Sequence, residues 1–221
     1  MKPKRTNRTR GLWIALYGPD GAGKSAVAAQ VAAELAPLFK DVQLHHLRIP
    51  LWRMSQPNII VTQPHAQQPR GIFLSCLKLF YMFAQSWMAH LFRTFFWLTS
   101  GQLIILDRYF LDYAIDPRRY RLAGESVRLA SLLGKSAPHP DLQVVLDVRA
   151  EELQRRKCEV SLAESRRQRQ EYAARVSVLP SAILVDADRP VADVAAEIIA
   201  HVLELLHRRS HAVAQADFAR S

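Results

Sequence analysis

The chain has 221 residues, of which 49% are apolar and 23% charged, with a formal net charge of +10. This length and composition are typical of one well-filled globular domain and exclude an array of domains. The two cysteines, Cys76 and Cys158, lack metal-ligand spacing, which excludes a disulfide framework and a zinc site and favours a reducing, cytoplasmic location.

The N-terminal residues 1–11 form a basic segment, which we interpret as a solvated tail. Weak attraction to anionic lipid or nucleic acid is the alternative, and no specific nucleic-acid partner is expected. The following apolar run LWIALY is too short for the apolar core of a signal peptide, so none is expected. The basic residues of the tail are Lys2, Lys4, Arg5, Arg8 and Arg10, and it contains no acid.

Short apolar runs and helical periodicity predict the first elements. Leu12–Tyr17 is predicted as a buried strand ended by Gly-Pro. Apolar residues at helical spacing predict a helix after the glycine loop, stopped by Pro37, and a second strand follows at residues 42–47. Residues 48–70 contain four prolines at irregular spacing and are predicted to be a long irregular connection.

Residues 71–98 are the most hydrophobic part of the chain and predict a helix with one narrow polar stripe. Lys78 and Arg93 interrupt the apolar run, so a membrane span is not expected. We interpret the segment as a helix buried against a neighbouring element or a second subunit, with interfacial membrane contact as the alternative. A homodimer through this helix would bury Phe80, Phe83, Trp87 and Leu91.

The second half of the chain continues the alternation of strands and helices. This alternation predicts a mostly parallel sheet with helices on both faces, an α/β fold. The predicted elements are a strand at 102–106, a short helix at 122–133, a strand at 142–148, a basic helical stretch at 152–176, a strand at 182–185, a helix from 191 and a C-terminal tail at 208–221.

The segment between the first strand and the first helix matches a phosphate-binding P-loop. Glycines let successive backbone N–H groups point at phosphate oxygens, and the N-terminus of the following helix adds its positive end. Lys24 provides a mobile cation for the outer phosphates of ATP, and Ser25 a hydroxyl ligand for Mg²⁺. The predicted phosphate-binding residues are Gly18, Pro19, Asp20, Gly21, Ala22, Gly23, Lys24 and Ser25.

A second motif, LIILDRY, places Asp107 at the end of an apolar strand. On a strand beside the P-loop, this carboxylate would hold Mg²⁺, partly through water, in a Walker-B arrangement. A capping Asp at a strand end is the plain alternative, and the P-loop about 80 residues upstream favours the metal-binding role.

GPDGAGKS, LDRY, the basic segment ending in ESRRQRQEYAARV and the late VDADRP together resemble the thymidylate kinase family of nucleoside monophosphate kinases. The resemblance runs from about Leu12 to Leu206. It implies a three-layer P-loop NTPase fold over residues 12–207, with a five-stranded parallel sheet and a mobile lid near residues 155–170. It also implies transfer of the γ-phosphoryl group of ATP to a nucleoside monophosphate such as dTMP, with Mg²⁺ as cofactor.

The resemblance also implies roles for individual residues. Lys24 and Ser25 would hold the ATP phosphates, and Asp107 would be the metal-side acid. On the acceptor side, Asp20 would face the acceptor sugar, Arg108 would grip the acceptor phosphate with Tyr109 beside it, and Arg48 would replace the arginine of a missing Arg-Glu-Pro motif. Because Ala22 stands where some members carry a P-loop arginine, the transition-state arginine is expected in the lid, among Arg166, Arg167 and Arg169.

The acceptor side departs from the family pattern. After the Asp-Arg-Tyr triplet the chain reads FLDYAIDPRRYR, with Asp112, Asp116, Arg118 and Arg119. These charges suit a phosphorylated or acidic acceptor, and an exposed turn with compensating charges is the plain alternative. Two other functions therefore stay open. One is a kinase of another small acceptor, such as a sugar or a lipid-linked precursor, peripheral to the inner membrane face. The other is a regulatory module that binds ATP and transfers nothing.

Overall fold

A computed structural model describes residues 10–49, 68–157 and 160–218. Most of the predicted irregular connection at 48–70, the first nine residues of the basic tail and Cys158 lie outside the described residues.

Five parallel strands form one sheet in the order β2-β3-β1-β4-β5. The central strand β1 pairs with β3 through Leu12 opposite Leu103, and with β4 through Ile14 opposite Leu142. This confirms the predicted α/β class and the five-stranded parallel sheet of a P-loop NTPase-like fold. The strands are β1 (Leu12–Tyr17), β2 (Val42–His46), β3 (Leu103–Asp107), β4 (Leu142–Asp147) and β5 (Ala182–Asp186).

The helices cover both faces of the sheet and make a three-layer structure. Short 3₁₀ turns at Ala36–Leu38 and Gly124–Ser126 extend α1 and precede α5. The helices are α1 (Lys24–Leu35), α2 (Ile72–Ala89), α3 (Phe95–Thr99), α4 (Asp112–Ile115), α5 (Val127–Ser136), α6 (Ala150–Arg156), α7 (Leu162–Val176) and α8 (Val191–Phe218).

Two apolar cores lie on opposite faces of the sheet because successive strand side chains point to opposite sides. Leu12, Ile14 and Leu16 of β1 pack with α1 and α8. The intervening residues Trp13 and Tyr17 pack in the other core with α2, α4, α5 and α7. The strands are therefore held from both sides, and their C-terminal ends share one edge of the sheet.

The predicted apolar helix is continuous over Ile72–Thr99, with a π-helical segment at His90–Thr94 between α2 and α3. The expectation that its apolar side is buried within the chain is wrong. Its polar residues mostly face the protein body together with Leu79, Trp97 and Leu98, and most of its other large apolar side chains face solvent. Phe83, predicted at a dimer contact, instead packs inward on Phe110, with 6.2 Å between ring centroids.

Two boundaries in the C-terminal half differ from the prediction. The basic stretch at 152–176 forms two helices, the end of α6 and all of α7, which together contain most of the region predicted as a lid at 155–170. The predicted tail from residue 208 is wrong, because α8 runs on to Phe218. No glycine or proline interrupts this part of the sequence, and Arg209 anchors it by a 2.5 Å ion pair with Asp141.

Candidate functional site

The P-loop lies at the C-terminal end of β1 and leads directly into α1. Gly18 has φ +143°, and a Cβ there would lie 2.9 Å from the carbonyl oxygen of Leu146, so both the backbone and the space require glycine. Gly23, with φ +82°, precedes the first helical residue and offers no side-chain cap. The N–H groups of the first turn of α1 are therefore left for an anion, as in phosphate-binding loops.

Lys24 is folded back on this loop. Its Nζ donates to the carbonyl oxygens of Gly18 at 2.8 Å and Pro19 at 2.7 Å. Burial, together with the nearby charge of Arg108, lowers the pKa of Lys24 to about 7, although three neighbouring carboxylates oppose the shift. The ammonium group is thus held by weak partners in a desolvated place, where phosphate oxygens would be much better acceptors.

Ser25 and Asp107 meet as the two motifs predict. The hydroxyl of Ser25 donates to Oδ2 of Asp107 at 2.7 Å, and Nδ1 of His46 lies 3.4 Å from the same oxygen. Burial alone would raise the pKa of Asp107, but the hydrogen bonds from His46 and Ser25 and the charge of Lys24 lower it to about 2. The carboxylate is therefore ionised at neutral pH.

These two side chains fit a magnesium ion of the P-loop kind. Oδ1 of Asp107 is buried and has no hydrogen-bond partner among the described residues, so it is left to accept from a metal-bound water. Within the described ranges there is no group of three or more His, Cys, Asp or Glu side chains that could hold a metal ion. P-loop magnesium needs no such cluster, because the nucleotide phosphates complete its shell.

Asp20 of the P-loop forms ion pairs with two arginines. Its Oδ1 accepts from Nη2 of Arg108 and its Oδ2 from Nη1 of Arg119. Two guanidinium groups thus meet one carboxylate at the mouth of the loop. An incoming anion such as a phosphate would find both of them already oriented.

Arg108 is fixed by the surrounding fold. It has φ +76° and is 2% exposed, its N–H donates to the Leu16 carbonyl at 2.9 Å, and its Nη1 lies 3.5 Å from Oδ2 of Asp112. Asp112 is fully buried and accepts from the hydroxyl of Tyr172. Burial raises the pKa of Asp112, which Arg108 and Tyr172 oppose. This arrangement holds the Arg108 guanidinium in a single direction.

The other two predicted acceptor residues make different contacts from this pair of arginines. Nη1 of Arg48 contacts Oε1 of Gln85 on α2 at 3.3 Å. Tyr109 is 7% exposed and packs edge-on against Trp13, at 5.4 Å between ring centroids. Tyr109 is therefore a core residue in this structure, because the chain turns inward directly after Arg108.

Each of the three lid arginines has a carboxylate partner. Arg166 contacts Glu151 at 2.7 Å on the exposed side, and Arg167 contacts Glu164 and the carbonyl oxygen of Ile115. Arg169 makes a bidentate pair with Asp147, at 2.6 and 2.8 Å, at the C-terminal end of β4. Of the three, Arg169 is anchored at the strand edge that also carries the P-loop.

A separate cavity of about 310 Å³ lies between α5, α7 and the sheet. Its walls include Tyr17, Phe110 and Gln143, with Lys135 and Arg175 also lining it. Gln143 lies at the start of β4 and Pro180 just before β5, so the cavity extends toward the edge of the sheet opposite the P-loop.

Sequence reasoning missed several contacts of the site. Arg119 had been noted only as part of a charged turn, and His46 had been given no role. Asp112 and Tyr172 are 60 residues apart in the sequence, and neither of the segments FLDYAIDPRRYR and ESRRQRQEYAARV indicates that they meet. The DPRRYR segment was the sequence signal for Arg119.

A scan of the sequence against models of protein families found no match, and a search of curated proteins found no significant match.

Proposed function

We propose that the protein is an ATP-dependent phosphotransferase of the thymidylate kinase type, acting on a nucleoside monophosphate such as dTMP. The observation that best supports it is the position of Asp20. This residue lies within the P-loop and yet contacts Arg108 and Arg119 on the neighbouring elements. A donor site for ATP phosphates and a pair of cations that could bind a second anion would thereby be joined through a single loop.

In the proposed reaction an oxygen of the acceptor phosphate forms a bond to the γ-phosphorus of ATP, while the bond to the β–γ bridging oxygen breaks and ADP leaves. Lys24 turns from the Gly18 and Pro19 carbonyls to the β- and γ-phosphates. Ser25 and Asp107 would hold Mg²⁺, which neutralises charge on the phosphates when bound. A lid arginine, Arg169 in this account, adds positive charge to the transferring group.

The acceptor is expected to carry an anionic group, because Arg108 and Arg119 converge where it would bind. That group competes with Asp20 for the arginines, and the Asp20 carboxylate can then accept a hydrogen bond from a hydroxyl of the acceptor. A mere ATP-binding module would have no use for this second set of charges beside the P-loop.

A second candidate is the same transfer to a lipid-linked acceptor. The observation favouring it is the position of α2. On the inner side of this helix, Lys78 contacts the carbonyl oxygen of Tyr120 and Gln85 contacts Arg48. Both contacts are near the proposed acceptor side. Its outer side is apolar and exposed. An acceptor anchored in a membrane could therefore approach the site along this helix.

The test is acceptor-dependent formation of ADP from magnesium ATP. The panel contains nucleoside monophosphates first, then phosphosugars and lipid-linked phosphates in detergent, with Lys24→Ala as the blank. Turnover with a nucleoside monophosphate supports the main proposal, and turnover with a lipid-linked acceptor alone supports the second. ATP binding without transfer to any acceptor would contradict both and favour a regulatory module.

A further inference from the structure

The helix over Ile72–Thr99 has the opposite orientation to that of an amphipathic helix on a soluble protein. Its polar side chains are directed at the protein body. Ser75 is fully buried and accepts from the Ala123 N–H at 2.9 Å, and Nζ of Lys78 donates to the Tyr120 carbonyl at 2.7 Å. The side that faces solvent is left to the large apolar residues.

This outer face is wide as well as apolar. Most of the exposed large apolar side chains of the described residues lie on this one helix, with Phe73 at 76%, Phe92 at 66% and Phe96 at 62% exposure. Adjacent residues such as Phe95 and Phe96 on α3 are both exposed, although they point about 100° apart. The face is therefore broader than a single helix–helix seam.

The helix carries few charges of its own. The sequence of Ile72–Thr99 contains no acid and only two fixed positive charges, Lys78 and Arg93. Lys78 points inward, and the guanidinium of Arg93 lies 4.9 Å from the centroid of the Trp97 ring. The outer face therefore has no fixed charge that water would have to solvate.

By length and composition this helix could cross a membrane. Only 17% of its most apolar 18-residue stretch is buried in the protein. Its attachment to the fold argues against a span. Leu79, Ala89 and Leu98 are built into the core on one face of the sheet. If the helix crossed a bilayer, these residues would have to leave the core. If the helix lies flat on a membrane surface, they stay in place.

Basic groups bracket the helix at both ends. At its C-terminal end, the N–H of Gly11 donates to the Leu98 carbonyl at 2.6 Å, which brings the exposed Arg10 to this end of the helix. In the sequence, Arg10 is preceded by Lys2, Lys4, Arg5 and Arg8 and by no acid. At the start of the helix, the N–H of Arg70 donates to the carbonyl oxygen of Arg121 at 3.0 Å.

We infer that the outer face of Ile72–Thr99 and the basic N-terminal segment together bind the surface of a membrane that contains anionic lipid. The helix lies parallel to the surface, with its apolar side chains at the boundary between headgroups and acyl chains. The basic segment contacts the lipid headgroups. An apolar face and a cluster of cations are the two signals that together give stable surface binding.

A second copy of the chain fits this face less well. Two helices packed antiparallel would bring Arg10 of each copy toward Arg70 and Arg121 of the other, and two packed in parallel would bring the two Arg10 residues together. Like charges would meet in either arrangement, in a protein that already carries +10. An anionic surface complements these charges.

The test is flotation of the full-length protein with vesicles of phosphatidylcholine, with and without phosphatidylglycerol. We expect binding to the mixed vesicles at low salt, with weaker binding at high salt and on phosphatidylcholine alone. Absence of binding to the mixed vesicles at low salt would overturn the inference.

Variants separate the two parts of the surface. Phe92→Gln with Phe96→Gln should weaken binding about tenfold or more, since it removes two side chains from the acyl boundary. The matched control, Leu203→Gln, changes a residue that is 46% exposed on α8 in the opposite layer, and should bind as wild type. Replacement of Lys4, Arg5 and Arg8 by Gln should weaken binding to the vesicles that contain phosphatidylglycerol. It should not change binding to vesicles of phosphatidylcholine only. Circular dichroism checks that each variant is folded.

Two further results would overturn the inference. In one, the Phe92/Phe96 variant binds vesicles as wild type does. In the other, light scattering gives a dimeric mass that this variant converts to a monomer, in which case a second copy covers the face.

Discussion

The fold places the amine of Lys24 where its protonation state depends on whether a phosphate ligand is bound. In the folded chain the pKa of Lys24 is lowered to about 7, mainly because the amine is buried. At pH 8 most of the molecules therefore carry it neutral. Phosphate oxygens would favour the charged form, so the pKa must rise when ATP binds.

The first prediction is uptake of a proton when ATP binds at pH 8. Titration calorimetry in two buffers of different ionisation enthalpy should give close to one proton (about 1) taken up per ATP by the wild type, because the neutral lysine becomes charged. Lys24→Arg is the control, since arginine is charged throughout and adds no uptake of its own. Identical heats for the wild type in both buffers would contradict the assignment.

A second residue-scale prediction concerns Arg119, which contacts Asp20. Arg119→Gln should raise the KM for the acceptor about tenfold or more and leave the KM for ATP near its original value, because a charge-assisted hydrogen bond is lost on the acceptor side only. Steady-state kinetics measure both constants.

The neighbouring Arg118 is exposed and provides the matched control. Arg118→Gln should behave as wild type. Equal effects of the two substitutions on the acceptor KM would indicate that the general charge of the turn matters and that the contact with Asp20 does not.

At the scale of elements, one buried contact ties α7 to α4. Tyr172 on α7 donates its hydroxyl to Asp112, the first residue of α4, which in turn lies against Arg108. The bond crosses from the basic helix to the segment after β3. The helix that carries the lid arginines is thereby fixed to the acceptor side of the site.

Tyr172→Phe is predicted to lower the free energy of unfolding by about 1–3 kcal/mol, because a buried carboxylate loses a hydrogen-bond donor. Urea unfolding measures it. Tyr120→Phe is a matched control, since the buried Tyr120 hydroxyl has no hydrogen-bond partner among the described residues. A loss for Tyr120→Phe as large as that for Tyr172→Phe would count against this explanation.

The lid arginines lead to a prediction at the same scale. Arg169→Ala should lower kcat at least about a hundredfold with little change in either KM, because an arginine that acts on the transferring phosphoryl group contributes mainly in the transition state. Arg166, which is 59% exposed and paired with Glu151, is the control. A larger loss of kcat for Arg166→Ala than for Arg169→Ala would reverse the assignment.

At the scale of the whole molecule, the features that the sequence predicted well are those that depend on neighbouring residues in the chain. The run LWIALY forms β1 over the predicted residues, and the glycines and Lys24 of the P-loop lie between that strand and α1. Each of these features depends on residues that are adjacent in the chain. The meeting of Ser25 with Asp107 was also predictable, because parallel strands bring their C-terminal ends to one edge.

The remaining features depend on contacts between distant parts of the chain. Arg119 reaches Asp20 across 99 residues, and no local pattern records that approach. For the helix over Ile72–Thr99, the period of polar residues marked a stripe but could not tell which side meets the body. The stripe turned inward because Ser75 and Lys78 satisfy the backbone around Tyr120 and Ala123.

The central claim is that this chain moves the γ-phosphoryl group of ATP to a second molecule. The most direct measurement follows γ-³²P-labelled ATP with magnesium and the acceptor panel, with the products separated as labelled acceptor and labelled inorganic phosphate. We predict label on an acceptor at a rate well above its release to water, and loss of that transfer in Asp107→Asn. Label that appears only as inorganic phosphate, or stays on ATP with every acceptor, would contradict the claim.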